Sequence, residues 1–527
     1  MISSTASGAK IVNSGNINIS DNFVLNAPIN SLGGVINIGN AAQSGYLNVT
    51  QDKYLSSDGS NHLVVNNGGI NTMNNSISDI SLAKLELNSD TNVALDIDLA
   101  TQTIDRFKFA NSADLVTNGK NINIADVNIL NQNIAITQDK FAFKFIDNTL
   151  NNQNLAGRVT TSLNKQILSP IYKYNLGYEN NGLTEQFVMA RSNTGSYRDF
   201  NPSVLASSVG AQVGAYFAQL NSYDMAFSNM DMNMLMTQQE RTAIKFRNKI
   251  ASLGTGSNLG TFSPNQMLEE NRGALFRPYT TFEKVGLKNG PNVSNVGYGS
   301  FFGVDSDLIE LKKGWEAVYT GYAGYNGSHQ AYDGVSIYQN GGPLGVTGVF
   351  YKGNFFTGLT ANIGASNAEA GTMYGQDNFT MLSTGIASKT GYNWELKEGK
   401  FIIQPSWLMS YSFVNTFDYT NSAGVRIDSD GLHAIQLVPS LKFIGNLKNG
   451  WQPYIGAQMV WNIMDDTKFK ANNVDLPQMS VKPYIQYGVG VQKRWGERFT
   501  GFFQTMIRNG GRNGVALSLG FRFAIGK

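Results

Sequence analysis

Apolar and polar positions alternate with a period of two through most of this chain, which is the mark of β-strands. The pattern is cleanest at the end. Val515, Leu517, Leu519, Phe521, Phe523 and Ile525 occupy every second position, with Ala516, Ser518, Gly520, Arg522 and Ala524 between them. From Gly273 onward about twelve such runs can be marked, at 275–287, 296–308, 315–326, 343–352, 354–366, 379–394, 400–414, 433–447, 451–464, 479–495, 498–508 and 513–525. A tilted membrane strand needs roughly 9–11 residues, and single-chain bacterial barrels use an even strand number. The pattern therefore predicts an all-β unit, a twelve-stranded antiparallel transmembrane β-barrel over 273–527.

The connections sort by parity in this reading. "IELKKG", "KGN", "LKEGK", "LKNG" and "WGER" read as tight even-numbered turns. "NGSHQAYDGVSIYQNGG", "NAEAGTMYGQDN", "NTFDYTNSAGVRIDSDGL" and "DDTKFKANNVDLPQ" read as longer odd-numbered loops. Short periplasmic turns and long outer loops are the habit of outer-membrane barrels. Trp315, Trp394, Trp451 and Trp495 all flank the short turns, where they would form a periplasmic aromatic girdle. Strand parity also divides the faces. Phe401, Ile403, Pro405, Trp407, Met409, Tyr411 and Phe413 share one face, as do Val481, Pro483, Ile485, Tyr487, Val489 and Val491. Charge facing lipid costs about 2–4 kcal/mol at the bilayer midplane. Arg277, Glu283, Lys442, Lys482, Gln492, Arg494, Arg508 and Arg522 are therefore expected to face a polar, mostly basic lumen.

Residues 10–190 carry shorter alternating runs, such as "VINIGN", "HLVVNN", "KLELNS" and "ALDIDLA", punctuated by Asn, Gly, Ser and Asp. Stacked short strands with Asn at the corners suit a parallel β-solenoid. A β-sandwich would show the same alternation, and no strict repeat length separates the two. Between solenoid and barrel, Asn201 to Ala251 is rich in Ala, Gln, Leu and Met, with Pro202 placed to open a helix. Gly210, Gly214 and Ala218 thin it, and Met225 and Met232 soften its second half. Such a helix would either cap the solenoid or run slimly through a tube.

Composition narrows the chemistry. The chain has 527 residues, a net charge of +2 and no cysteine. Near-neutral charge gives no nucleic-acid footprint, and the missing thiols exclude disulfides and cysteine-based sites. Mean hydropathy is −0.21, and no apolar run approaches the roughly 20 residues of a membrane helix. No basic segment followed by an apolar one opens the sequence, so an exported protein would start within a longer precursor. No catalytic motif occurs. His62, Asp96, Asp98, Asp105 and Asp114 are scattered along the first segment, so neither an enzyme nor a metal or cofactor site is expected.

In order along the chain, these segments resemble the classical (monomeric) autotransporters of type V secretion. "NPSVLASSVGAQVGAYFAQLNSYDMAF" is similar to that family's connector helix. "YGSFFGVDSDLIELKKGWEAVYTGYAGYNGS" is similar to its second and third strands, and "IIQPSWLMSY" and "WQPYIGAQMVW" to its proline-bearing strands. "ALDIDLATQTIDRFKFAN" and "YKYNLGYENNGL" look like the end of a passenger. The resemblance implies a passenger solenoid at 1–195, a linker at 196–272 holding a pore helix near 201–250, and a translocator barrel at 273–527. It implies an outer-membrane location, a surface-exposed passenger with adhesion among the family's tasks, a monomer, and help from the barrel-assembly machinery and periplasmic chaperones. Ser518, Gly520, Phe521, Phe523 and Ile525 resemble the barrel-assembly signal. Two features depart from the family. Asn229 and Asn233 are isolated, unlike the adjacent asparagines at which some relatives cut themselves, and Gly526-Lys527 follows the last aromatic position. A porin-like channel with a surface β-domain, or a secreted solenoid enzyme acting on polysaccharide, are the other readings.

Overall fold

The computed structural model describes residues 2–3, 10–51, 53–56, 60–147, 157–161, 163, 165–180, 185–192, 194–227, 272–397, 399–447, 450–495 and 499–525. The chain forms two compact units, Met1–Asn201 and Pro202–Lys527.

In the first unit the strands pair in parallel. Asn22–Asn26, Gly45–Val49, Gly68–Asn71, Thr91–Asp98, Ile122–Leu130 and Val159–Thr161 stack as one sheet. Asn16–Ile19, Val35–Ile38, His62–Val65 and Lys84–Leu87 stack as a second. Asp79–Leu82, Arg106–Phe109 and Ile146–Asp147 contribute a third face. Parallel stacking decides between the two readings of the alternation, since a sandwich pairs its strands antiparallel. Inside, Ile36, Ile38, Leu63, Val65, Leu85 and Leu87 are buried one above another. Outside, asparagines bond rung to rung. Asn37 donates to Asn18 at 2.9 Å, Asn71 to Asn48 at 3.0 Å and Asn123 to Asn92 at 2.8 Å. Register partners Asn16, Val35, His62 and Lys84 are unequally spaced, so loops of different length connect a regular interior. That is why no repeat length is visible in the sequence. The unit ends in an antiparallel sheet of Lys140–Phe143, Gln166–Leu168, Lys173–Asn180 and Glu185–Ala190, around Phe141, Phe143, Tyr174 and Phe187.

The second unit is a closed antiparallel barrel. Its strands are β1 (Gly273–Lys288), β2 (Asn292–Asp305), β3 (Glu316–Tyr332), β4 (Val335–Lys352), β5 (Phe355–Thr372) and β6 (Gly375–Tyr392). They continue as β7 (Phe401–Thr416), β8 (Leu432–Gly445), β9 (Trp451–Ile463), β10 (Tyr484–Trp495), β11 (Phe499–Gly510) and β12 (Arg512–Ala524). Each pairs with its neighbours in sequence, and β12 pairs with β1 to close the ring. A helix over 202–227 belongs to this unit.

Loop lengths sort by parity only in part: the two long connections are odd-numbered as expected, but two other expected loops are not loops. The segments read as long loops at 326–342 and 367–378 are strand: β3 and β4 turn at 333–334, and β5 and β6 at 373–374. Their Gly, Asn and Ser content resembles loop sequence, but full ladders on both sides hold it extended. "IELKKG" lies in a wider connection, 306–315, with its own short turn. The long connections are 417–431 and 464–483. They pair with each other, Arg426–Ser429 against Phe469–Ala471, over buried Val425, Ile427, Leu476 and Met479.

Every backbone polar group within hydrocarbon must be paired, so a closed ring resists detergent until the whole ladder melts. The unheated protein is expected to run compactly on a denaturing gel and to shift to its full mass on boiling. Identical migration before and after heating would contradict the closed barrel.

Candidate functional site: the barrel lumen and its helix

Outward positions along the middle of the strands are mostly apolar. Leu344, Val346, Leu359, Ile363, Ile386, Met409, Ile455, Val489 and Phe523 are all exposed. Inward positions are polar and covered. Over part of the lumen, what covers them is the helix. Pro202–Leu205 makes a tight 3-10 turn, Gly210–Tyr216 is a wider π-helical stretch, and 217–227 is α-helical. Its side chains are almost all buried, which resolves the choice between a solenoid cap and a tube-filling helix in favour of the tube. Two glycines let it fit. A Cβ on Gly214 would lie 1.5 Å from Gln339 Oε1, and one on Gly210 would lie 3.1 Å from the Phe379 ring. Ala218 presents its carbonyl to Asn326 Nδ2 at 3.5 Å. Met225 packs on Phe301 and Tyr322.

The helix is also bonded around the wall. Gln212 Nε2 donates to the Met479 carbonyl at 2.9 Å and to that of Asp465. Tyr216 OH donates to Asn462 Oδ1 at 3.1 Å, and Gln219 donates to Asn362. Tyr223 OH donates to the Tyr411 carbonyl at 2.9 Å. Tyr332 OH reaches the Pro202 carbonyl at 3.0 Å. These partners lie on β3, β5, β7 and β9 and in the 464–483 connection, so the helix is tied to most of the circumference. None of its four polar anchors was singled out from sequence. Gln212, Tyr216, Gln219 and Tyr223 recur at i, i+4, i+7 and i+11, a helical stripe that could have marked them.

The wall beside the helix is stitched by charge at the closing seam. Glu283 on β1 is enclosed by Arg508 and Arg512. Arg512 donates to it at 2.7 and 2.6 Å, Arg508 at 3.0 Å and Asn295 Nδ2 at 3.0 Å. Arg512 also lies 3.8 Å from the Phe217 ring centre, which ties seam to helix through a cation–π contact. Arg522 on β12 reaches across β1 to Asp305 on β2 at 3.1 Å, and Thr320 donates to Asp305 at 2.6 Å. Arg277 donates to Ser518 at 3.0 Å and stacks 4.6 Å from Phe502. Gly520 stands opposite, where a Cβ would come within 3.3 Å of Phe502. Arg512 lies one residue before the alternating run 513–525, and its even-numbered parity is the sequence signal that points it inward.

Arg277, Glu283, Gln492, Arg508 and Arg522 are buried on the inward face. Lys442 borders a cavity of about 110 Å³ below the helix, with Asp224, Lys389 and Gln486. Arg494 has inward parity and is half-exposed near the strand end. Lys482 does not face the lumen as its parity predicts. It precedes β10, in the 464–483 connection, and is exposed rather than lumenal. Neighbouring Val481 is buried against the end of β1 instead of facing lipid, because Ser480–Val481 pairs with Leu287 and Lys288. Trp315, Trp394, Trp451 and Trp495 cluster at one rim, with Lys493 4.3 Å above the Trp451 ring. In the closing strand, Phe523 and Ile525 are exposed outward, and Phe523 lies 4.9 Å from Phe499. Met232, Asn229 and Asn233, with the rest of the expected helix to 250, lie outside the described residues.

Two acids of the first unit, Asp96 and Asp105, are buried and accept backbone amides. Asp105 accepts from Thr72 Oγ1 at 2.6 Å, Ser78 N at 2.7 Å and Asp96 N at 2.8 Å, and burial pushes its carboxyl up to about 6. Asp96 is fully buried and caps the 74–75 amides, whereas Asp98 is partly exposed, so the two do not form an open pair.

Residues 275–505 match the family model described as Autotransporter beta-domain. The barrel is an autotransporter β-domain. Solved structures resemble it. The transport unit of AIDA-I from Escherichia coli is 14% identical over 51% of this chain and 94% of its own, with a TM-score of 0.42. The translocator domain of NalP from Neisseria meningitidis is 10% identical over 55% of this chain and 97% of its own, at 0.41. The β domain of Bordetella BrkA is 15% identical over 48% of this chain and 99% of its own, at 0.39. Likeness at these scores carries no weight of its own, and the assignment rests on the family model. No curated protein sequence matches the chain. An autotransporter β-domain belongs in the outer membrane, where the outward apolar band meets lipid.

Removing one partner of a buried ion cluster strands the others, at about 3–5 kcal/mol. Glu283→Ala leaves Arg508 and Arg512 without their counter-charge. The temperature at which the compact band is lost should fall clearly for this variant and less for Glu283→Gln. An unchanged temperature for Glu283→Ala would show that the cluster does not support closure.

Proposed function

We propose that the barrel carries the β-solenoid to the cell surface and then retains it there, with the helix over 202–227 left in the lumen as tether and plug. The chain then divides into a passenger at 1–195, a linker at 196–272 and a translocator at 273–527. The observation that carries this reading is the ring of bonds from Gln212, Tyr216, Gln219 and Tyr223 to the wall. A channel for solutes has no use for a helix fitted by glycines and bonded along its length.

The rim that holds the four tryptophans is the periplasmic one in this arrangement, and the helix enters from the opposite end, near Tyr332. A solenoid folds by adding rungs to a neighbour, so folding outside favours outward movement of the rest. The closing strand carries the pattern Ser518, Gly520, Phe521, Phe523 and Ile525, which offers the barrel-assembly machinery an alternating apolar edge before closure. Periplasmic chaperones would shield the same apolar positions earlier. The passenger acts by binding, adhesion being one such task, and not by catalysis. Its acids serve as backbone caps, as at Asp96 and Asp105.

Conductance separates a plugged translocator from a porin-like channel. In planar bilayers or liposomes the whole chain should pass little current, and the chain lacking 201–251 should form a large, steady pore. Equal conductance with and without the helix would defeat the plug.

A further inference from the structure

Four of the strands are far longer than a membrane requires. β3 to β6 have 17 or 18 residues each, against roughly 9–11 for a crossing. Their surplus lies at the turns 333–334 and 373–374, the outer end in the orientation proposed above. The outward face changes character along this extension. Near the barrel middle it is Leu344, Val346, Leu359, Ile363, Leu382 and Ile386, all exposed and apolar. Beyond the membrane band it becomes polar on every strand.

The register sets these polar side chains in rows. His329 pairs with Tyr338, Tyr338 with Glu369, and Glu369 with Asn378. A second row joins Asn367 and Thr380, whose hydroxyl donates to the Asn367 amide oxygen at 2.7 Å. Tyr338 is 50% exposed and stacks on His329 at 4.2 Å with 6° between the planes. Gln376 Nε2 donates to one Glu369 oxygen at 3.0 Å, which fixes that carboxylate. Tyr338 lies six residues beyond Leu344, about 20 Å along the strand at roughly 3.3 Å per residue and about 15 Å along the membrane normal at a strand tilt of roughly 35–45°. That height is outside hydrocarbon and beside the headgroups of the outer leaflet.

We propose that this face of β3–β6 binds the neutral sugars of an outer-leaflet glycolipid. A rigid aromatic ring offers its face to the C–H side of a hexose, while a carboxylate and amides in the same row accept and donate to its hydroxyls. The face is continuous with the lipid-contacting band below it, so a glycolipid anchored in that band delivers its headgroup here. Charge selects among glycolipid parts. Glu369 is the charged side chain of these rows, and a carboxylate repels phosphate. The neutral hexoses fit, and the phosphorylated sugars nearer the acyl chains do not. The strand excess then has a purpose that crossing the bilayer does not supply.

The proposal rests on the outer position of these turns, but its test does not depend on transport or orientation. The purified whole chain in detergent is titrated with lipopolysaccharide bearing its hexose core, and separately with lipid A, which keeps acyl chains and phosphates but lacks the core. The core-bearing form should bind about tenfold tighter, a difference of about 1.4 kcal/mol. Tyr338→Ser and Glu369→Gln, both on the exposed face, should each remove that preference. The heat-dependent gel shift reports that both variants stay folded. Equal affinity for the two glycolipids would overturn the proposal in favour of acyl or phosphate contacts. A preference that survives in both folded variants would place the sugar elsewhere and overturn it as well.

Discussion

An open strand edge has no place in hydrocarbon, and that constraint organises the second half of this chain. With no water to satisfy them, unpaired amides and carbonyls cost several kcal/mol each. The last strand must therefore find the first. β12 pairs with β1 over nearly its full length, and the pairing is reinforced where lipid cannot reach it. Glu283 meets Arg512 across the seam, Arg277 meets Ser518, and Arg522 reaches past β1 to Asp305. These charges are tolerated because they face a lumen filled by protein polar groups. The same arginines on the outer face would be expelled. Alternation of side chains along a strand thus does two jobs at once: it greases the outside and wires the inside.

Closure creates a second problem, a polar tube of fixed bore. The helix over 202–227 solves it by shape and by bonding. Glycine at 210 and 214 lets the backbone approach Phe379 and Gln339, and a widened π-helical stretch occupies the same residues. Polar anchors at helical spacing then satisfy wall groups on widely separated strands. Arg512 links the two solutions, since the N–H edge of its guanidinium closes the seam while the ring of Phe217 covers its face. Seam and plug are consequently coupled, and loss of either exposes charge that the other had sheltered.

Much of this was legible in the chain, because period-two alternation survives in a membrane strand whatever its neighbours do. Strand number, the inward set around Arg277, Glu283, Arg508 and Arg522, and the closing role of 513–525 all follow from parity. What failed was anything that depends on tertiary context. "NGSHQAYDGVSIYQNGG" has the composition of a loop, yet both of its halves sit in unbroken ladders, so pairing overrode propensity. Lys482 had the right parity, but its segment leaves the wall to join the 464–483 connection. The solenoid's rungs were visible singly and not as a repeat, since connecting loops of unequal length hide a regular interior.

The central claim is that the helix resides in the closed barrel once assembly is complete. The natural absence of cysteine makes a direct measurement simple. A Cβ at Gly214 would lie 2.6 Å from Gln339 Cδ, so cysteines at the two positions face each other within the span of a short bis-thiol crosslinker. In the double variant Gly214→Cys and Gln339→Cys, such a crosslinker added to outer membranes from intact cells should give a boiled chain that migrates ahead of the untreated one. Each single variant should show no such shift. Failure of the pair to link, in protein that still shows the compact unheated band, would contradict a helix lodged in the lumen.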